Sequence, residues 1–127
     1  MKRSFFLIAF AACLFVACSA HSYQSLGNDE FEQLIAADSV QLIDVRTADE
    51  FVNKPHIASA VNIDVKSPDF DQRAQSLLDA SKPVAVYCLH GKRSKIAAQR
   101  LIDLGFEQVY ELNTGIEAWQ NAGKAVE

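Results

Sequence analysis

The chain of 127 residues has no excess of positive charge: 12 Lys and Arg stand against 16 Asp and Glu, a formal −4 at pH 7. A nucleic-acid binder usually shows a basic stripe, so that class is disfavoured. Cysteine is scarce, three in all, which argues against the disulfide framework of small exported domains. One usable cysteine with three scattered histidines makes no metal-ligand set, and no metal or other cofactor is expected. Long apolar runs are missing too. The one uncharged stretch, Ser4 to Ala20 with its apolar part Phe5 to Ala17, falls short of the ~20 residues a membrane-spanning helix needs. No repeat, low-complexity segment or internal domain boundary is visible.

What is present begins at the N-terminus. Met1-Lys2-Arg3 followed by a short apolar run is the pattern of a secretory signal. It closes in "LFVACSA", Leu14 to Ala20, which resembles a bacterial lipoprotein signal with small residues ahead of a cysteine; Phe15 stands where such signals usually carry Leu. This reading divides the chain into a signal peptide (1–17), a lipidated Cys18 with a short linker (18–22) and one domain (23–127). It places the domain on the periplasmic side, touching the membrane only through an N-terminal lipid. The alternative is a plain signal cleaved near Ala20 and a soluble periplasmic domain. Without residues 1–17 the chain keeps 110 residues, a normal size for a single core, and carries 16 acids against 10 Lys and Arg, a formal −6. Cys13 leaves with the signal and Cys18 carries lipid, so Cys88 is the single free thiol. A leftover thiol in an exported chain is either a dimer link or a reactive group.

The domain alternates in period. "QLIDV" and "PVAVYC" are short runs rich in Val and Ile, as strands covered on both faces are. Asn28 to Ala37 puts Phe31, Leu34 and Ile35 on one helical face, and Ser94 to Leu104 does the same with Ala97, Ala98, Leu101 and Ile102, with Gly105 as C-terminal cap. Thr47 with Glu50 and Thr114 with Glu117 read as capping boxes, and Ser67-Pro68 as a cap and helix-starting proline. Strand and helix in alternation, with short connections, predict an α/β domain on a mainly parallel sheet.

Against this frame "YCLHGKRSK", Tyr87 to Lys95, stands out: a thiol followed by His90, Lys92, Arg93 and Lys95 in an acidic chain. Cys88 ends a strand and a helix begins near Ser94, so "CLHGKR" is the turn between them, on the sheet edge where ligands bind in α/β folds. Gly91 permits a tight turn, and N–H groups at a helix start converge on one spot. A thiol held there is favoured as its anion. Cations at a helix N-terminus are disfavoured by the dipole, at roughly 0.3–1 kcal/mol each, which implies a negatively charged visitor.

Four stretches in this order resemble the single-domain rhodaneses, a sulfurtransferase family: "LIDVRTADEF" (Leu42 to Phe51), "HIASAVNI" (His56 to Ile63), "CLHGKRS" and "LGFEQVYELNTGIEAWQNAG" (Leu104 to Gly123). The resemblance covers nearly all of residues 23–127. It departs at Pro55 for the usual Gly, Ala58-Ser59 for Pro-Gly, Thr114 for the first of two glycines and Ala125 for Pro, all outside the loop. It implies a three-layer domain, a mainly parallel five-stranded sheet with helices on both faces. It implies that a Cys88 thiolate takes the outer sulfur of a small anionic donor such as thiosulfate, holds it as a persulfide and yields it to cyanide or a thiol. Leu89, His90, Gly91, Lys92 and Arg93 would form the substrate-binding loop, with Lys92 the favoured donor-binding cation. Arg93 either joins it or pairs with an acid of the scaffold. Asp44 and Arg46 would brace the loop. Ser94 either caps the helix or donates toward the sulfur. His56 and Trp119 read as structural.

Three rival functions share these residues. A phosphatase or arsenate reductase of this fold uses Cys-x5-Arg, one residue longer than the spacing of Cys88 and Arg93 here, and the shorter ring suits sulfur better than a phosphate tetrahedron. A persulfide carrier would deliver to a protein partner instead of a small acceptor. An inactive binding domain is disfavoured by the intact cysteine and its cationic loop.

Overall fold

The structure, a computed structural model, describes residues 22–127. The expected signal and lipidation site, with Cys13, Cys18 and His21, lie outside the described residues. The elements alternate as β1 (Gln24–Leu26), α1 (Asn28–Ile35), β2 (Gln41–Asp44), α2 (Ala48–Asn53), β3 (Val61–Asn62), α3 (Phe70–Leu77), β4 (Val84–Tyr87), α4 (Lys92–Asp103), β5 (Val109–Leu112) and α5 (Gly115–Asn121). The strands order as β1-β5-β4-β2-β3 and every pairing is parallel. This is the α/β sheet that the alternating periods predict.

Side chains leave a strand to alternate faces, and here that rule sorts the core. Val84 and Val86 of β4, with Ile43 of β2, pack against Phe70 and Ala74 of α3 and Ala97, Ala98 and Leu101 of α4. Ala85 and Tyr87, with Leu42, face Phe31 of α1 and Ile116 and Trp119 of α5. Helices therefore cover both faces, and β4, buried at every position, lies between two layers. Trp119 is core, edge-on to Phe31 at 6.0 Å between ring centroids.

The helix starts differ from expectation in three places. The capping box of Thr47 and Glu50 forms in full. The second one does not: Thr114 has helical dihedrals (φ −95, ψ −13), its hydroxyl donates to Asn28 Oδ1, and Glu117 is drawn to His90 instead. At Ser67-Pro68 the chain makes a turn and α3 begins at Phe70, because Asp69 accepts the Ser67 hydroxyl and holds the cap position. And α4 begins at Lys92, two residues before Ser94. One family departure also has a visible consequence: Ser59, where rhodaneses usually place Gly, sits at φ +70 on the surface. A non-glycine residue there costs roughly 1–2 kcal/mol.

Candidate active site

β4 ends at Tyr87 and delivers Cys88 to the edge of the sheet; Leu89 and His90 carry the chain to Gly91, the cap of α4. Gly91 has φ +94, and a Cβ built on it would lie 2.1 Å from the backbone oxygen of Asn113. Only glycine fits. Because the reversal is completed at Gly91, the helix can start at once, and Ser94 falls in its first turn. The first N–H groups of a helix have no intrahelical partner. Here they have the sulfur: Gly91 N–H and Ser94 N–H donate to Cys88 Sγ at 3.1 and 3.3 Å. Cys88 is 1% exposed. It forms part of the wall of an open pocket of about 450 Å³, shared with the loop, Glu50, Lys66 and Ile96.

Of the two roles open to Ser94, the backbone takes the sulfur and the hydroxyl turns away. Ser94 Oγ lies 2.8 Å from Glu111 Oε2 and 3.0 Å from the Gly91 oxygen. Glu111 is fully buried on β5, accepts Ser25 Oγ as well, and is paired with Lys95 Nζ at 3.1 Å. Lys95 also reaches Asn113 Oδ1 at 3.0 Å. A buried carboxylate thus ties the first turn of α4 to strands β5 and β1. A second tie is Gly115 at φ +79, where a Cβ would stand 2.1 Å from the Leu89 oxygen. Ile116 N–H and Glu117 N–H donate to the oxygens of Cys88 and Leu89.

The four cations between Tyr87 and Lys95 have different fates. Lys95 belongs to Glu111. Arg93 lines the pocket but donates through both arms to Glu50, at 2.7 and 3.0 Å; these bonds hold the Glu50 carboxyl at about 2, well below the usual carboxylate range. His90 Nε2 lies 3.0 Å from Glu117 on the surface. Lys92 is exposed at the mouth and forms no ion pair among the described residues. The same holds for Lys66, from the β3–α3 connection, which is exposed and lines the same pocket.

Asp44 and Arg46 lie next door, at the end of β2, and do not reach the pocket. Arg46 Nη2 meets Asp44 Oδ2 at 2.7 Å, its Nε bonds both carboxylate oxygens, and Nη2 also donates to the Pro55 oxygen. Asn62 Nδ2 closes the group from β3 by donating to the oxygens of Asp44 and Arg46. His56 stacks on Phe51 at 4.3 Å and its backbone pairs with that of Glu127.

Sequence reasoning missed Lys66, Glu111, Glu50 as the partner of Arg93, and the constraint at Gly115. Glu111 had a usable signal, an acid inside the apolar run "VYEL" whose position faces inward. Lys66 had none, being one loop lysine among others.

A Rhodanese-like domain model matches residues 27–122. Among curated relatives, a thiosulfate sulfurtransferase GlpE from Coxiella burnetii is 34% identical over 99 residues, covering 77% of this chain and 88% of that protein. A thiosulfate sulfurtransferase GlpE from Shewanella oneidensis is 36% identical over 102 residues, covering 80% and 96%. Among solved structures, a rhodanese-related protein from Thermoplasma volcanium matches with a TM-score of 0.66 at 28% identity, over 83% of this chain and 98% of that one. A rhodanese-like domain from Anabaena sp. matches with a TM-score of 0.71 at 27% identity, over 81% and 77%.

Proposed function

Since this chain belongs to the rhodanese-like domain family, whose matched relatives are sulfurtransferases by name, we propose that it relays a sulfane sulfur through Cys88 from a thiosulfate-like donor to a nucleophilic acceptor. One observation carries the reading: a buried Sγ that accepts two backbone N–H groups beside a pocket whose Lys92 forms no ion pair among the described residues. Those donors are fixed before any reaction, so they stabilise negative charge on sulfur without reorganising. Lys92 draws the anionic donor in. The Cys88 thiolate attacks the outer sulfur of thiosulfate, the S–S bond of the donor breaks, and sulfite leaves with the electron pair. Cys88 then carries a persulfide. Cyanide or a thiolate attacks the terminal sulfur, and Cys88 departs as thiolate, so one difficult transfer becomes two easier ones.

Two features favour sulfur over phosphate. The ring from Cys88 to Arg93 is short, and both arms of the Arg93 guanidinium are already engaged by Glu50. The sequence at Leu14 to Ala20 supports export with lipid on Cys18; an N-terminal Cys18 bearing lipid in membrane fractions is the mass-spectrometric result expected, and a soluble form starting near His21 the contrary one.

For the chemistry, mixing the purified chain with thiosulfate should add one sulfur to the intact mass, and cyanide should remove it as thiocyanate. Cys88→Ser should abolish both steps, and Lys92→Ala should slow loading more than discharge. Phosphatase activity dependent on Cys88, without sulfur uptake, would overturn the reading. Discharge by a protein thiol but never by cyanide would favour a carrier.

A further inference from the structure

The pocket holds more than a thiosulfate site requires. At about 450 Å³ it lies within the roughly 300–1,000 Å³ of pockets that take drug-sized ligands, whereas thiosulfate is one sulfonate-like group with a single added sulfur. Glu50 neutralises Arg93, so the charge on the wall without an ion pair among the described residues is Lys92 from α4 and Lys66 from the β3–α3 connection, two cations from separate elements. The same lining includes Ile96, 51% exposed on α4, and the half-buried Leu89. An exposed isoleucine one turn past Lys92 gives the pocket an apolar wall that an inorganic anion does not use.

We propose that this pocket selects an organic thiol bearing two acid groups as the acceptor of the Cys88 sulfur, with Lys66 as the group that discriminates in favour of the second acid. The inference rests on the persulfide relay proposed above and names its acceptor. In the step itself the acceptor thiolate attacks the terminal sulfur of the Cys88 persulfide. A new S–S bond forms on the acceptor, the bond from that sulfur to Sγ breaks, and its electron pair stays on Cys88 as thiolate. The persulfide anion left by loading takes a proton from water, and that proton stays on the transferred sulfur, so no oxidant or reductant is consumed. Ile96 and Leu89 contact the carbon stem, Lys92 one acid and Lys66 the other. The pairs are solvent-facing, so each is worth about a two- to fivefold preference and is screened by salt.

The test uses the full chain loaded with thiosulfate, freed of excess donor, and discharged by mercaptosuccinate or by 2-mercaptoethanol, each rate taken per thiolate. Mercaptosuccinate should discharge the protein several-fold faster, and the advantage should shrink as ionic strength rises. Lys66→Gln should lower the ratio of the two rates by about threefold and Lys66→Glu by more; Lys66 is exposed, so folding is checked simply by thermal unfolding. Ile96→Ser should slow mercaptosuccinate more than the shorter, uncharged 2-mercaptoethanol. Normal sulfur uptake with a ratio near one, or a ratio that Lys66→Glu leaves unchanged, would overturn this inference alone. Failure to take up sulfur from thiosulfate would overturn the relay, and the inference with it.

Discussion

Two neighbouring strands of the sheet, β2 and β4, end side by side, Asp44 opposite Tyr87, and their connections to the following helices treat polar groups in opposite ways. After β2, the two buried charges answer each other: Arg46 is bonded to Asp44 and to the Pro55 oxygen, and Asn62 of β3 donates to the backbone oxygens of both. After β4, two N–H groups end on a sulfur, and Lys92 at the mouth forms no ion pair among the described residues. A buried ion pair is weak evidence for stability in itself, since desolvation offsets its attraction. Its value here is geometric, because it fixes the edge on which the second junction opens. The lesson is that polar groups left over, and not polar groups present, distinguish a site from a scaffold.

The sharpest way to break the comparison is Arg46→Ala. It leaves the Asp44 carboxylate buried without its partner and should cost about 3–5 kcal/mol of stability in denaturant titration. A loss below about 1 kcal/mol would mean the first junction is not the closed scaffold described. Gly115→Ala tests how the second junction is held. The new methyl must push on the Leu89 carbonyl, and a left-handed alanine adds about 1–2 kcal/mol. Sulfur loading should slow by roughly tenfold or more, since small displacements of a nucleophile cost rate steeply. Wild-type loading kinetics would show that the loop does not depend on this contact. The smallest effect expected is at the Arg93–Glu50 pair, which spans the two junctions. Glu50 lies below its ordinary value of 4.5, at about 2, held there first by Arg93. A carboxyl lowered on folding stabilises the fold above the ordinary value and loses that contribution as pH falls. Glu50→Gln should therefore cost about 1 kcal/mol or less at pH 7, with the difference from wild type vanishing between about pH 4.5 and 2. A difference that persists at pH 2 would assign the effect to packing.

Much of this was legible in residue order. The apolar runs around Leu42 and Val84 announced strands covered on both faces, because such strands need no polar alternation. Gly91 announced a tight turn, since glycine tolerates the left-handed region that the turn occupies. Cys88 was singled out by being the thiol left at a strand end among cations. The start of α4 was not legible: Ser94 looks like a cap in sequence, but the helix began at Lys92 once Gly91 had reversed the chain. Nor was the failure of Thr114 as a cap legible, for its partner Asn28 lies far away along the chain.

The sequence by itself determined the α/β alternation, the thiol and the turn that holds it, since each follows from local periodicity and from what one residue type permits. Only the tertiary structure decided which of the clustered cations remain free. His90, Arg93 and Lys95 all stand near Cys88 in sequence, yet Glu117, Glu50 and Glu111, which claim them, come from three other elements. Lys66, far along the chain, arrives at the same pocket without an ion pair among the described residues. An ion pair depends on distance in space, and the packing of a parallel sheet brings together residues whose separation along the chain says nothing about which charge will be left for a ligand.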